Sequence, residues 1–420
     1  MSNFDDIYDE AVDIEDKAER LGYDVKVVAR FDKALDLYRR ALAVKPNNFD
    51  CLYNSARLRL EIGSHYKHPN ESFLWLQESY NVFSIAANNA EDQLSRFDAI
   101  YNSIQALTTI AELHADIGNE AEAIQTYENA TSLIKNLVME QQQLGTVTND
   151  VDLGDGASFS LPPYQIVQNI KLLIDALLKL HDLSDDVGYL TRAQVELNDA
   201  ININNTVEEQ FKEVDSLMLL QAKIHLGEYT SSQPPSVDAA QVLVGEYRSV
   251  LELRSQKKDN ECVEALCELA EMLVEVAKSG TSSWALLSEA QGLFKQALDL
   301  EVSLKTIGSV DPNSIANQIK ILLAMSTVSV YRAELVGKSN ANYQTLINNS
   351  QVYLKRGLEM TQPVHKPHPN WQVEDAKYEA IVRIIDERIK YHNESEESQR
   401  HLVDILRRNN VNVDVYRRRQ

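Results

Sequence analysis

Glycine and proline are scarce in this chain, at 14 and 10 of 420 residues. Turns and hairpins are built from those two residues, so their scarcity argues against a sheet-rich fold and for long helices with short connections. Cysteine is scarcer still. Cys51, Cys262 and Cys267 form no CxxC and no paired frame, which argues against a disulfide scaffold and leaves buried thiols in a reducing compartment as the expectation. Long apolar runs are missing as well. The richest stretch, Ile170–Leu180, is broken by Lys171, Asp175 and Lys179, too short and too charged to span a bilayer. The acidic first twenty residues hold no apolar segment of the secretory kind, so a cytoplasmic location is expected, with the nucleus also open to the chain.

Positive charge is short. Lysine and arginine number 41 against 63 aspartates and glutamates, for a net charge of −22. A field of that sign repels phosphate backbones and anionic lipid and attracts basic proteins. The expected partner is therefore a protein, basic in character, with no direct nucleic-acid binding and no membrane. Motifs of catalysis are missing too: no GxxxxGK[ST], no strand-bound GxGxxG, no HExxH and no GxSxG. Two HxxH pairs, His65–His68 and His365–His368, lack the further ligands zinc needs. The sequence implies no enzyme, no catalytic residue, no metal and no cofactor.

What is present is a recurring spacing: a small residue, Gly seven later, Ala five after that, an aromatic or Leu four later, Ala three later. Ala111, Gly118, Ala123, Tyr127 and Ala130 are the clearest copy. A second runs from Leu180–His181 through Gly188, Ala193 and Leu197 to Ala200. A third is Ala34, Tyr38, Ala41 and Pro46, followed by Asn54, Ala56 and Gly63. A fourth is Leu266, Leu269, Ala270 and Leu273 with Ala290, Phe294 and Ala297, and a fainter fifth is Ser350, Leu354 and Gly357. Helical hairpins pack closely only where small residues sit at the crossings, and a glycine in the left-handed region ends the first helix at little cost. About sixteen helices are expected, in seven or eight pairs.

This spacing resembles the tetratricopeptide repeat (TPR), a 34-residue helix-turn-helix unit. The match is firm over 29–63 and 104–137, looser over 174–203 and 263–300. It departs from the family where Leu107, His114, Leu52 and Arg59 stand for the first-helix Trp and Tyr. The resemblance implies an all-α, right-handed α-solenoid with a concave inner face lined by the first helix of each pair. It places Asp50, Tyr53, Asn54 and Arg57 in that groove, then Gln105, Thr109, Glu112 and Asp116, then Asp175, Lys179 and Asp182, then Glu264, Glu268, Glu271 and Glu275. Some TPR proteins clamp the C-terminal carboxylate of heat-shock chaperones; Asn54 fits that pattern, but Glu19, Tyr23, Gln105 and Thr109 do not, and a clamp of carboxylates repels its ligand.

Organisation follows from the interruptions. Residues 1–142 form an N-terminal TPR-like block, 143–163 an acidic, Gly-rich loop ending in two prolines, 164–408 a C-terminal block, and 409–420 a basic tail with Arg417, Arg418 and Arg419; Thr230–Pro235 is a shorter break. One stripe is readable without the family: Glu264, Glu268, Glu271 and Glu275 lie at i, i+4, i+7 and i+11, opposite the apolar Leu266, Leu269 and Leu273. Like charges four apart cost a helix a few tenths of a kcal/mol each, so the stripe faces water alone or a cation. The sequence thus points to a protein-binding repeat protein, a dedicated chaperone or carrier of a ribosomal-protein-like or histone-like client in an acidic groove. Its rivals are a scaffold subunit of a stable complex and, less well matched, a heat-shock co-chaperone.

Overall fold

The structure is a computed structural model. It describes residues 3–20, 26–147, 162–209, 212–232, 236–255, 259–278, 284–304, 312–366, 368, 370–409 and 411–418. Among these residues the chain is all-α, with seventeen α-helices, one 3₁₀ turn and no strand. It divides into two compact units, 1–231 and 232–420.

In the first unit, α1 (Phe4–Glu19) pairs with α2 (Lys26–Val44) and α3 (Phe49–His65) with α4 (Pro69–Asn89). Then α5 (Gln93–Asp116) pairs with α6 (Glu120–Val147) and α7 (Pro163–Ser184) with α8 (Val187–Asn204), and α9 (Val214–Ser231) packs on α7 and α8. In the second, α10 (Val237–Arg254) leans on α11 (Asn260–Lys278), which pairs with α12 (Trp284–Ser303). Next, α13 (Pro312–Val336) pairs with α14 (Tyr343–Glu359), and α15 (Trp371–His392) packs on both. Glu396–Gln399, α16 (Arg400–Arg408) and α17 (Val413–Arg418) lie against α15. Within each unit, successive helices from α1 to α9 and from α10 to α15 pack on one another, the packing of a helical repeat.

The recurring residues are where the helices touch. Ala34, Tyr38, Ala41, Ala111, Ala123 and Ala130 are buried, as are Leu180, Ala193, Ala200, Phe294, Ala297 and Leu354. A Cβ on Gly63 would stand 3.0 Å from Leu76 Cγ, so that glycine lets α3 and α4 close up. Gly118 takes φ 79° and caps α5, as its place in the repeat requires. The second copy solves the same turn differently. There Asp185 takes the left-handed position at φ 56°, while Gly188 already lies in α8 and donates its N–H to Asp186 Oδ1 at 2.8 Å.

The two compact units divide at Ser231, within the shorter break; α6 runs on to Val147 and α7 begins at Pro163, while 148–161, most of the expected loop, lies outside the described residues. The basic tail is partly a helix. In α17, Tyr416 is buried and donates to Asp375 Oδ1 at 2.9 Å, and Arg417 forks onto Asp386 at 2.8 and 2.9 Å. Arg419 lies outside the described residues. No helix among them is long and apolar enough to cross a membrane.

Candidate protein-binding faces

The groove positions of the first unit separate into two kinds. Tyr53, Asn54 and Arg57 on α3 are tied to neighbouring first helices. Asn54 donates to the Tyr8 hydroxyl of α1 at 2.8 Å, and the Tyr53 hydroxyl accepts from Asn102 of α5 at 3.0 Å. Arg57 is paired with Glu15 and, at 3.3 Å, with Glu19, both on α1. Burial works against the Arg57 charge, but Glu15 and Glu19 outweigh it and hold the guanidinium above its ordinary value. Glu15, buried in the same knot, accepts from the Tyr38 hydroxyl at 2.6 Å; burial raises its carboxyl in spite of Arg57. These residues are rungs that fix one repeat against the next. Their partners Tyr8, Glu15, Glu19 and Asn102 escape sequence reasoning because contacts between repeats carry no local spacing.

Of the remaining predicted groove positions of the first unit, Gln105 and Thr109 are half-buried, Lys179 is exposed, and five are acidic. Asp50, Glu112, Asp116, Asp175 and Asp182 are all exposed. Three of them converge: the Tyr127 hydroxyl is pushed up first by burial and then by Glu112, Asp116 and Asp182 together. Glu112 and Asp116 come from α5 and Asp182 from α7, so the first helices of two successive pairs both add to the negative field at Tyr127. Asp182 itself is raised, chiefly by the chain around it, against Lys179, His181 and Lys223.

The second unit holds the predicted stripe. Along α11, Glu264 and Glu271 are exposed and Glu268 and Glu275 half-buried, while Leu266, Leu269 and Leu273 are buried behind them. The four do not act alike. Glu264 lies 3.6 Å from the buried Arg254, and Glu275 pairs with Lys278 at 2.8 Å. The Cys267 thiol, half-buried between turns of the stripe, is pushed up to about 12 by burial, then by Glu271, Glu268, Glu301 and Glu264. Tyr247 on α10 is raised by burial and next by Glu268 and Glu271. Glu301, a buried carboxylate on α12, belongs to the same field and was not readable as such from α12 alone. Toward the C-terminal end of α11 the negative charge is balanced: Glu271, Glu275 and Glu379 share a cavity with Lys278, Lys320 and Arg383. Among the described residues no group of three or more His, Cys, Asp or Glu could hold a metal ion. The chemistry on offer at both faces is a negative field that attracts cationic groups.

No family model matches the chain. Of curated proteins it is similar to "UPF0656 protein C926.02" of Schizosaccharomyces pombe, 28% identical over 144 residues; the match takes in 33% of this chain and spans 31% of that protein's length. Solved structures to which it is similar include the Rap protein complexed with competence and sporulation factor. That likeness has 10% identity, 91% of this chain, 98% of the other and a TM-score of 0.34. A circular tandem repeat protein follows at 16%, 99%, 95% and 0.29, and the TPR domain of P58(IPK) at 14%, 83%, 99% and 0.18. None of these TM-scores reaches 0.5, so the repeat architecture rests on the chain's own helix packing.

Proposed function

We propose that the chain is a non-enzymatic, protein-binding helical-repeat protein that holds a basic client, of ribosomal-protein or histone-like composition, as its dedicated chaperone or carrier. The observation that supports this most is the convergence at Cys267, where one half-buried thiol lies in the field of four glutamates drawn from two helices. Carboxylates gathered this way repel one another and cost stability; a cationic partner relieves that repulsion. Glu112, Asp116 and Asp182 form a second such gathering. The net charge of −22 extends the attraction beyond contact distance and speeds encounter with a basic chain.

The test is an immobilised chain exposed to extract of its native cell and washed at low and then high salt, with bound proteins identified by mass. The wild type is compared with a Glu264→Gln, Glu268→Gln, Glu271→Gln variant. One dominant, very basic protein is expected, released at high salt and reduced more than about tenfold on the variant, since each lost charge contact at a surface contributes up to about 1 kcal/mol. Salt-resistant partners of ordinary charge, held equally by both proteins, would instead identify a scaffold subunit.

A further inference from the structure

Between α11, α13 and α15, with α12 behind them, lies an open cavity of about 250 Å³. Its apolar lining comes from Val274, Phe294, Leu323, Ala324 and Val328, four of them buried. Its charged lining comes from Glu271, Glu275 and Lys278 of α11, Lys320 of α13, and Glu379 and Arg383 of α15. Size narrows the occupant. Small-molecule sites begin near 300 Å³, whereas an apolar cavity of about 150 Å³ already accepts benzene. One aromatic side chain fits.

Charge narrows it further. Three carboxylates face three cations here, so the cavity carries no net charge. Two of its three cations are engaged: Arg383 pairs with Glu379 at 2.6 Å and donates to Thr327 Oγ1 at 2.6 Å, and Lys278 pairs with Glu275 at 2.8 Å, while Lys320 is exposed. An uncharged side chain gains from the apolar lining and meets no net charge there. The excess negative charge begins outside, toward the N-terminal end of α11. Glu264 stands seven residues from Glu271, about 10 Å along a helix, which an extended chain covers in about three residues.

We propose that this cavity seats one aromatic side chain of the client, and that Glu268 and Glu264 take up basic residues from about one to about three positions away along the client's extended chain. The inference rests on the basic-client reading above and supplies what charge alone does not, a means of telling one basic segment from another.

The test uses the full chain and fluorescein-labelled peptides of about a dozen residues, read by fluorescence polarisation. One peptide is lysine-rich with a central Trp, one has Ala in that place, and one keeps the Trp in an uncharged background. On the wild type, the lysine-rich Trp peptide is expected to bind at least about tenfold more tightly than its Ala counterpart, the scale set by burying one aromatic ring. Ala324→Phe, which fills the cavity, is expected to erase that difference with helical circular dichroism unchanged. Equal binding of the Trp and Ala peptides to the wild type overturns the proposal whatever the variant does, and leaves the acidic-face reading standing. A Trp advantage that survives Ala324→Phe in a folded protein overturns the location. Binding of the uncharged Trp peptide as tightly as the lysine-rich one keeps the pocket and removes the basic client; no binding by any peptide removes both.

Discussion

Single side chains in this molecule show where charge is tolerated for the sake of packing. Glu387 of α15 accepts from Ser350 Oγ at 2.6 Å, Gln351 Nε2 at 2.8 Å and Ser326 Oγ at 3.1 Å, so its carboxylate fastens α13 and α14 to α15. Burial nonetheless raises its pKa, in spite of those three donors and Arg383. A carboxyl whose folded value is raised binds its proton more tightly when folded. Its stabilising contribution is complete below the unfolded value of about 4.3 and is lost as the pH climbs through the raised folded value. Glu387→Gln removes the buried charge; its single amide oxygen can keep the bonds from Ser350 and Gln351, and its amide nitrogen can donate to the Ser326 hydroxyl in place of accepting from it. The variant is expected to melt above the wild type at pH 7, with the gap closing as the pH falls to 4; thermal unfolding followed by circular dichroism across that range checks it. A variant that melts below the wild type at pH 7 would mean that the three donors outweigh the burial.

The elements were largely legible in the sequence, and the reason is local. Ala123, Tyr127 and Ala130 lie within one helix, and their spacing alone marks a packing face. The same holds for the alternation of Glu264, Glu268 and Glu271 with Leu266, Leu269 and Leu273. What escaped depends on contacts between helices. Asn54 and Arg57 have the spacing of groove residues yet bond to α1, because Tyr8, Glu15 and Glu19 come from a different pair. Residues 413–418 read as a basic tail because Val415 and Tyr416 find their apolar partners in a cluster built from other helices, α15 and α16 among them. Tyr416 meets Tyr378 edge-on with ring centroids 6.4 Å apart. Truncating it uncovers Tyr378, Ile381 and Val382. Tyr416→Ala is expected to destabilise the chain by about 3 kcal/mol, the low end for deleting a buried aromatic, measured by urea unfolding. A loss under about 0.5 kcal/mol, usual for a surface site, would return α17 to the status of a tail.

At the scale of the whole molecule, the surplus of 22 negative charges acts on the chain and on its partners in opposite senses. Self-repulsion opposes the compact state, and salt relieves it, since the screening length shortens from about 30 Å at 0.01 M to about 10 Å at 0.1 M. The midpoint of thermal unfolding is therefore expected to rise over that range, while affinity for a basic client of the kind proposed falls. Parallel rather than opposed responses in the two measurements would mean that the surplus charge is not what binds. The same field gives the protein a gauge of its own. Cys51 and Cys262 are buried, and Cys267 alone among the three cysteines is partly open, at the centre of the glutamates. A cation settling among those carboxylates makes the thiolate easier to form, so the pH at which Cys267 begins to react with an alkylating reagent follows the occupancy of the face. Burial is the larger part of that shift and the glutamates the rest, so a basic client of the proposed kind lowers the alkylation midpoint of an unlabelled, unmutated chain only as far as it offsets the glutamates.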